Sequence, residues 1–146
     1  MSNRGIRAEA APAPVGAYPH ARRVGDLLFL SGVGPRQPGS NAVPGNIHDA
    51  DGGLLDYDIE AQCRQVFANV RAVLEASGAR WDDLVDVTVF LTDMSRDFAT
   101  YNRIYAEYFA GMDACRTTLG ISRLPTPIAI EVKCIAALPA QKDPPA

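Results

Sequence analysis

The chain has little of what many catalytic sites are made from. His20 and His48 are its only histidines in 146 residues, too few for a histidine-based metal centre. Cys63, Cys115 and Cys134 are odd in number and lack CxxC spacing, so they read as reduced, buried thiols of a cytoplasmic protein. There is no HExxH, no evident Ser-His-Asp set and no glycine-rich phosphate loop after a strand. No apolar run approaches the ~20 residues needed to span a bilayer. No apolar stretch follows the N-terminal arginines, which argues against a secretory leader. The formal net charge is -3 with both signs interspersed and no basic patch or arginine-rich run, so electrostatic binding to nucleic acid has little support. Neither a metal, a cofactor, a nucleic acid nor a membrane is expected as a partner.

What is present is enough for one domain with a real core: 47% hydrophobic and 21% charged residues. Residues 1–13 read as a poorly ordered arm and 139–146 as a frayed tail, leaving a single domain over 14–138. Tyr18 to Val24 and Leu27 to Gly32 predict a hairpin about the Gly25-Asp26 turn. A two-residue turn sets the register: Val24 opposite Leu27, His20 opposite Ser31, Tyr18 opposite Val33. Tyr18, His20, Phe29 and Ser31 then share one face. Pro19 cannot donate to a ladder and places this strand at an edge. Residues 34–57, rich in glycine and proline, predict a long irregular excursion, either a lid carrying Arg36 and His48 or a plain surface loop.

Apolar spacing predicts a helix over 58–77, capped by Asp56 or Asp58 and closed by Gly78. Alternation predicts a strand over 84–92, with Val85, Val87, Val89 and Leu91 on one side. A second helix is expected over 97–110. Asn102, four residues after Phe98, would lie on its apolar face, where a buried amide needs partners. The order β-β-loop-α-β-α-β-β predicts an α+β domain with a mixed sheet and two helices on one sheet face. The other face would then be covered by further subunits.

The stretch from Ala114 to Leu138 reads as two strands around a proline-punctuated loop. Arg116 opens the first and Glu131 lies inside the second. As a hairpin, an odd register puts Glu131 opposite Gly120 and on the face of Arg116 and Thr118; an even register separates them. The odd register leaves a gap on the order of 10 Å, the span of a small substrate. Arginine grips carboxylates bidentately, and a glutamate can orient water or move a proton. Cys115, beside Arg116, is either an activated thiol or a small apolar strand residue.

Several long motifs resemble the reactive intermediate deaminase (RidA, YjgF-like) family: PVGAY at 14–18, LFLSG at 28–32, NVRAVLEASGA at 69–79, VTVFLTDMSRDFATYNRIYAEYF at 87–109, CRTTLGISRLP at 115–125 and IAIEVKCIA at 128–136. The resemblance implies a chorismate-mutase-like α+β fold, a homotrimer with sites between subunits, and cofactor-independent hydrolysis of enamines and imines to 2-oxo acids and ammonia. It assigns carboxylate binding to Arg116 and water positioning to Glu131, with Tyr18, Ser31, Gly32 and Asn102 as further site positions. Thr118 stands where the family often has cysteine. The AYPHARRVGDLLFLSG stretch and the 34–57 segment look like the 2-aminomuconate deaminases of aromatic-acid breakdown. A dicarboxylate substrate needs a second donor, for which His20, Arg36 or Arg22 is available, with Arg123 and Lys133 behind them. A general 2-aminoacrylate (2-imino acid) deaminase and a non-catalytic, chaperone-like metabolite binder remain alternatives.

Overall fold

The computed structural model describes residues 4–139. Its elements are β1 (Ala21–Val24), β2 (Leu27–Leu30), β3 (Ile47–His48), β4 (Leu54–Asp56), α1 (Ile59–Ala76), β5 (Leu84–Leu91), α2 (Met94–Phe109), β6 (Cys115–Gly120) and β7 (Ile130–Ala137). Five strands form one mixed sheet in the order β1-β2-β7-β5-β6, and β3-β4 is a separate small hairpin inside the 34–57 excursion. Both helices cover one face. Leu28, Leu30, Val87, Val89, Leu91, Ile130, Val132, Cys134 and Ala136 point into that layer and are all buried. The alternation along β5 and β7 puts every second residue into the core, as a half-covered sheet requires. The opposite face carries Phe29, Ile135, Lys133, Glu131, Thr88, Phe90, Thr117 and Leu119.

The local signals hold well. The Asp58 side chain accepts from the Ala61 N–H and starts α1, and Gly78, at φ +72, follows its end. β1 and β2 pair in the expected register, with Val24 opposite Leu27, and β1 is an edge strand. The Ser31 N–H donates to the His20 carbonyl, but the pairing ends there; Val33 bridges Val132 instead of Tyr18. Helix α2 begins earlier than expected, at Met94, because the Asp93 side chain accepts from the Arg96 N–H and caps it there. Asp97 is fully buried and accepts the Tyr57 hydroxyl at 2.7 Å. Val85 departs from its predicted side: the ladder slips between Leu84 and Asp86, which turns Val85 outward.

Two corrections matter for function. Residues 4–13 are not an arm: Ile6 bridges Ala21, and Ala8 and Ala11 are buried in the core. The small alanine side chains let this segment pack closely. The expectations for residues 1–3 and 140–146 lie outside the described residues. The second correction concerns the last two strands. β6 and β7 do not pair. β5 lies between them, parallel to β6 and antiparallel to β7. Arg116 is opposite Val87 and so faces the helices; Glu131 is opposite Phe90 and faces the other way. Within one chain the two charges therefore stand on opposite faces, and the odd-register hairpin is overturned. A central strand with neighbours on both sides satisfies β5 in a way a terminal hairpin would not.

Candidate active site

Arg116 anchors one group of residues. It sits on the edge strand β6, and its Nη1 donates to Asn102 Oδ1 at 2.8 Å. Its guanidinium carbon lies 4.7 Å from the Tyr105 ring centroid and 5.5 Å from that of Tyr101. Those faces attract the cation without neutralising it. Thr118, two residues on, shares this side and exchanges a 2.9 Å hydrogen bond with the Tyr101 hydroxyl. Asn102 is exposed at the flank of α2 rather than buried on its apolar face, which Tyr101, Ile104 and Tyr105 occupy. Four residues from Phe98 is one turn, but Phe98 is itself 37% exposed and does not mark the core side. Neutral partners leave Arg116 donors and charge available for an anion.

Glu131 anchors the other group, on the central strand and the open face. It lines a cavity of about 410 Å³ together with Tyr18, Ser31, Gly32, Arg36 and Lys133. Burial pushes its carboxyl above the usual glutamate range. The close packing has a backbone cause. Phe29 is opposite Ile135 and Val33 is opposite Val132, so Leu30, Ser31 and Gly32 on one strand face only Lys133 and Cys134 on the other. This extra residue is a bulge, and it brings Gly32 against the carboxylate: a Cβ there would lie 2.7 Å from Glu131 Oε2. Around it, Ser31 Oγ donates to the Pro19 carbonyl at 2.7 Å, and the Tyr18 hydroxyl accepts from the Val15 N–H at 3.2 Å. Lys133 Nζ donates to the Leu30 carbonyl at 3.0 Å.

The proposed donors for a second carboxylate separate. His20 is committed: one ring nitrogen accepts from the Ala8 N–H at 3.0 Å and the other lies 2.8 Å from the Pro12 carbonyl. It latches the N-terminal segment to the sheet, and a neutral ring donating to Pro12 has no donor left for a ligand. Arg36 lines the Glu131 cavity. Its guanidinium donates to Asn41 Oδ1 and the Ala13 carbonyl, both at 2.8 Å, which leaves three of its five N–H donors. His48 is in the β3-β4 hairpin, its Nδ1 3.1 Å from the Gly52 carbonyl. Cys115 is exposed on β6, and strand alternation points it away from the side of Arg116.

Two residues to which the sequence assigned no role stand behind this cavity. Gln62 and Asn69 are fully or almost fully buried on α1. They are seven residues apart, two turns on one helical face, and that spacing within an apolar stripe is the signal that marks them.

The family model described as endoribonuclease L-PSP matches residues 8–138. The chain belongs to this family. A RutC family protein of Pyrococcus horikoshii is 40% identical over 131 residues, covering 90% of this chain and 94% of the relative. Reactive Intermediate Deaminase A of Arabidopsis thaliana, chloroplastic, is 36% identical over 133 residues, 91% of this chain and 65% of that protein. Among solved structures, Escherichia coli TdcF with bound serine superposes with a TM-score of 0.77 at 30% identity, covering 92% of this chain and 98% of that one. The RidA-type α+β fold, with a mixed sheet and two helices, is the architecture described above. Among the described residues no helix is long and apolar enough to cross a membrane.

Proposed function

We propose that this protein is a hydrolytic deaminase of enamine and imine carboxylic acids, working as a homotrimer with its sites between subunits. The observation that carries the reading is the placement of Arg116 and Glu131. Each is poised for chemistry, yet they lie on opposite faces of one sheet. A substrate touching both needs the Arg116 group of one copy and the Glu131 group of another. The open face supports such packing, since Phe29 and Leu119 are 36% and 44% exposed beside the half-buried Phe90 and Ile135.

In this arrangement the enamine tautomerises to the imine, and Arg116, steadied by Asn102, holds the C1 carboxylate. Glu131, ionised, takes a proton from a water as its oxygen attacks the imine carbon. The proton passes to nitrogen, the tetrahedral carbinolamine collapses, the C–N bond breaks and ammonia leaves. The imine plus water becomes the 2-oxo acid plus ammonia, with no redox change.

The favoured substrate is 2-aminomuconate, a six-carbon dicarboxylic enamine. Arg36, in the cavity with Glu131, is the donor for its second carboxylate. The name of the Arabidopsis relative favours a second reading, a general deaminase of small 2-imino acids. Purified protein should release ammonia and bleach the dienamine absorbance, faster on 2-aminomuconate than on 2-iminobutyrate. Equal or reversed rates would replace the first reading by the second. Carboxylate binding with no ammonia from either substrate would make the protein a metabolite binder.

A further inference from the structure

The cavity wall is built from segments that have little regular structure of their own. Ser31, Gly32, Gly34 and Arg36 belong to the turn out of β2, and Pro125, Thr126 and Ile128 belong to the loop that leads into β7. Both segments are gripped from behind by α1. Asn69 is 1% exposed. Its Nδ2 donates to the Gly34 carbonyl at 2.9 Å and the Arg36 carbonyl at 2.8 Å, and its Oδ1 accepts from Gln65 at 3.0 Å. All of its amide hydrogens are thereby spent on the backbone that carries Arg36. Gln62 is fully buried. Its Oε1 accepts from the Ala129 N–H at 2.8 Å, two residues before Glu131, and its Nε2 donates to Asn46 Oδ1 at 3.0 Å. Asn46 in turn donates to the Pro127 carbonyl at 2.7 Å. Gln62 and Asn69 reach across to the two strips of backbone that present Arg36 and Glu131.

We propose that Gln62 and Asn69 are positioning residues: through buried amide bonds to Ala129 and to Gly34 and Arg36, α1 sets the spacing between the backbone that carries the cation and the backbone that carries the carboxylate, both of which line the cavity. The proposal rests on the deaminase reading for what the site does, but not for what it holds. A dicarboxylate reaching Arg36 should sense both amides.

The test uses Gln62→Met and Asn69→Leu in the full-length protein, with adipate as an inert six-carbon dicarboxylate. Calorimetric titration well below the melting temperature should show adipate affinity about tenfold weaker in each variant, the size of one or two lost hydrogen bonds. With a turning-over substrate, both variants should raise KM for a dicarboxylate, and Gln62→Met should lower kcat as well. A purely structural role would lower the melting temperature and leave the affinity of the folded protein unchanged. Folded variants with wild-type adipate affinity, or a wild type that does not bind adipate, would overturn the proposal. If Asn69→Leu does not fold, Asn69→Ser, which leaves room for a water, carries the same expectation. Adipate binding that the variants weaken, with no ammonia released by wild type, would sink the deaminase reading and leave this inference standing.

Discussion

Arg116 stands on an edge strand, against two tyrosine rings and an exposed amide. Glu131 stands on the central strand, half-buried, with the backbone of Gly32 pressed to its carboxylate. The arginine keeps its charge in any surroundings, so its neighbours need only leave donors free. The glutamate's protonation depends on its surroundings, and partial burial shifts it toward the pH range where it can exchange protons. A binding group can sit at a rim; a proton-transfer group gains from a wall. The two also draw on different parts of the chain. The Arg116 group comes from α2 and β6, whereas the Glu131 group collects β7, the bulge after β2 and the N-terminal segment.

The most decisive way to break this comparison is to divide it between chains. Arg116→Ala and Glu131→Gln should each cost about a hundredfold or more in kcat/KM, measured as ammonia release. Unfolding and refolding the two inactive variants together in equal amounts should restore about a quarter of wild-type activity, because half the Arg116 groups and half the Glu131 groups are intact and assort at random. No recovery from properly assembled mixtures would mean that each site lies within one chain.

Gly32→Ala tests the glutamate side alone. The new Cβ would meet Glu131 Oε2 at 2.7 Å, so the carboxylate must shift. A fall in kcat of about ten- to a hundredfold is expected, with little change in the affinity for a short monocarboxylate. Asn102→Ala tests the arginine side in the same spirit. Freeing the guanidinium should raise KM by about tenfold, the scale of one charge-assisted hydrogen bond, and move kcat less. If both variants changed the same constant, the division into a gripping half and a reacting half would fail.

The pH profile sharpens the difference further. Glu131 must be ionised to accept a proton, and burial raises its pKa, so kcat/KM should fall on the acid side at a pH above the ordinary glutamate value of about 4.3. An acid limb at or below that value would mean that solvent reaches the carboxylate freely in the assembled protein. The smallest effect is expected from Tyr101→Phe. It removes the hydroxyl bonded to Thr118 but keeps the ring beneath Arg116, so denaturant titration should show a loss of about 1 kcal/mol and activity should change only a few-fold.

Much of this was legible in the sequence where interactions are local. Asp58 and Gly78 bound α1, Gly25-Asp26 sets the β1-β2 register, and the alternation of β5 and β7 marks their buried faces. The family motifs pointed to Arg116, Glu131, Tyr18, Ser31, Gly32, Asn102 and Thr118, and these fall into just two groups in the structure. His20 was misread because a polar ring in a strand pattern says nothing about which carbonyl will claim it; Pro12 and Ala8 do. Asn102 lies off the apolar face that its spacing from Phe98 predicts, because Phe98 is itself partly exposed. Gln62 and Asn69 were passed over because an amide inside an apolar stripe shows its purpose only when its partners, tens of residues away, are in place.

The chain by itself determined most of its elements, the caps of α1, its family and the two charges, since local spacing and short motifs carry each of these. Only the tertiary structure decided that β5 lies between β6 and β7, which puts Arg116 and Glu131 on opposite faces. Strand order is set by which faces can be buried together, a property of the packed sheet that no local spacing contains. The same holds for the bulge at Ser31-Gly32, which exists only because β2 and β7 meet, and which turns a glutamate on a strand into a carboxylate held against backbone.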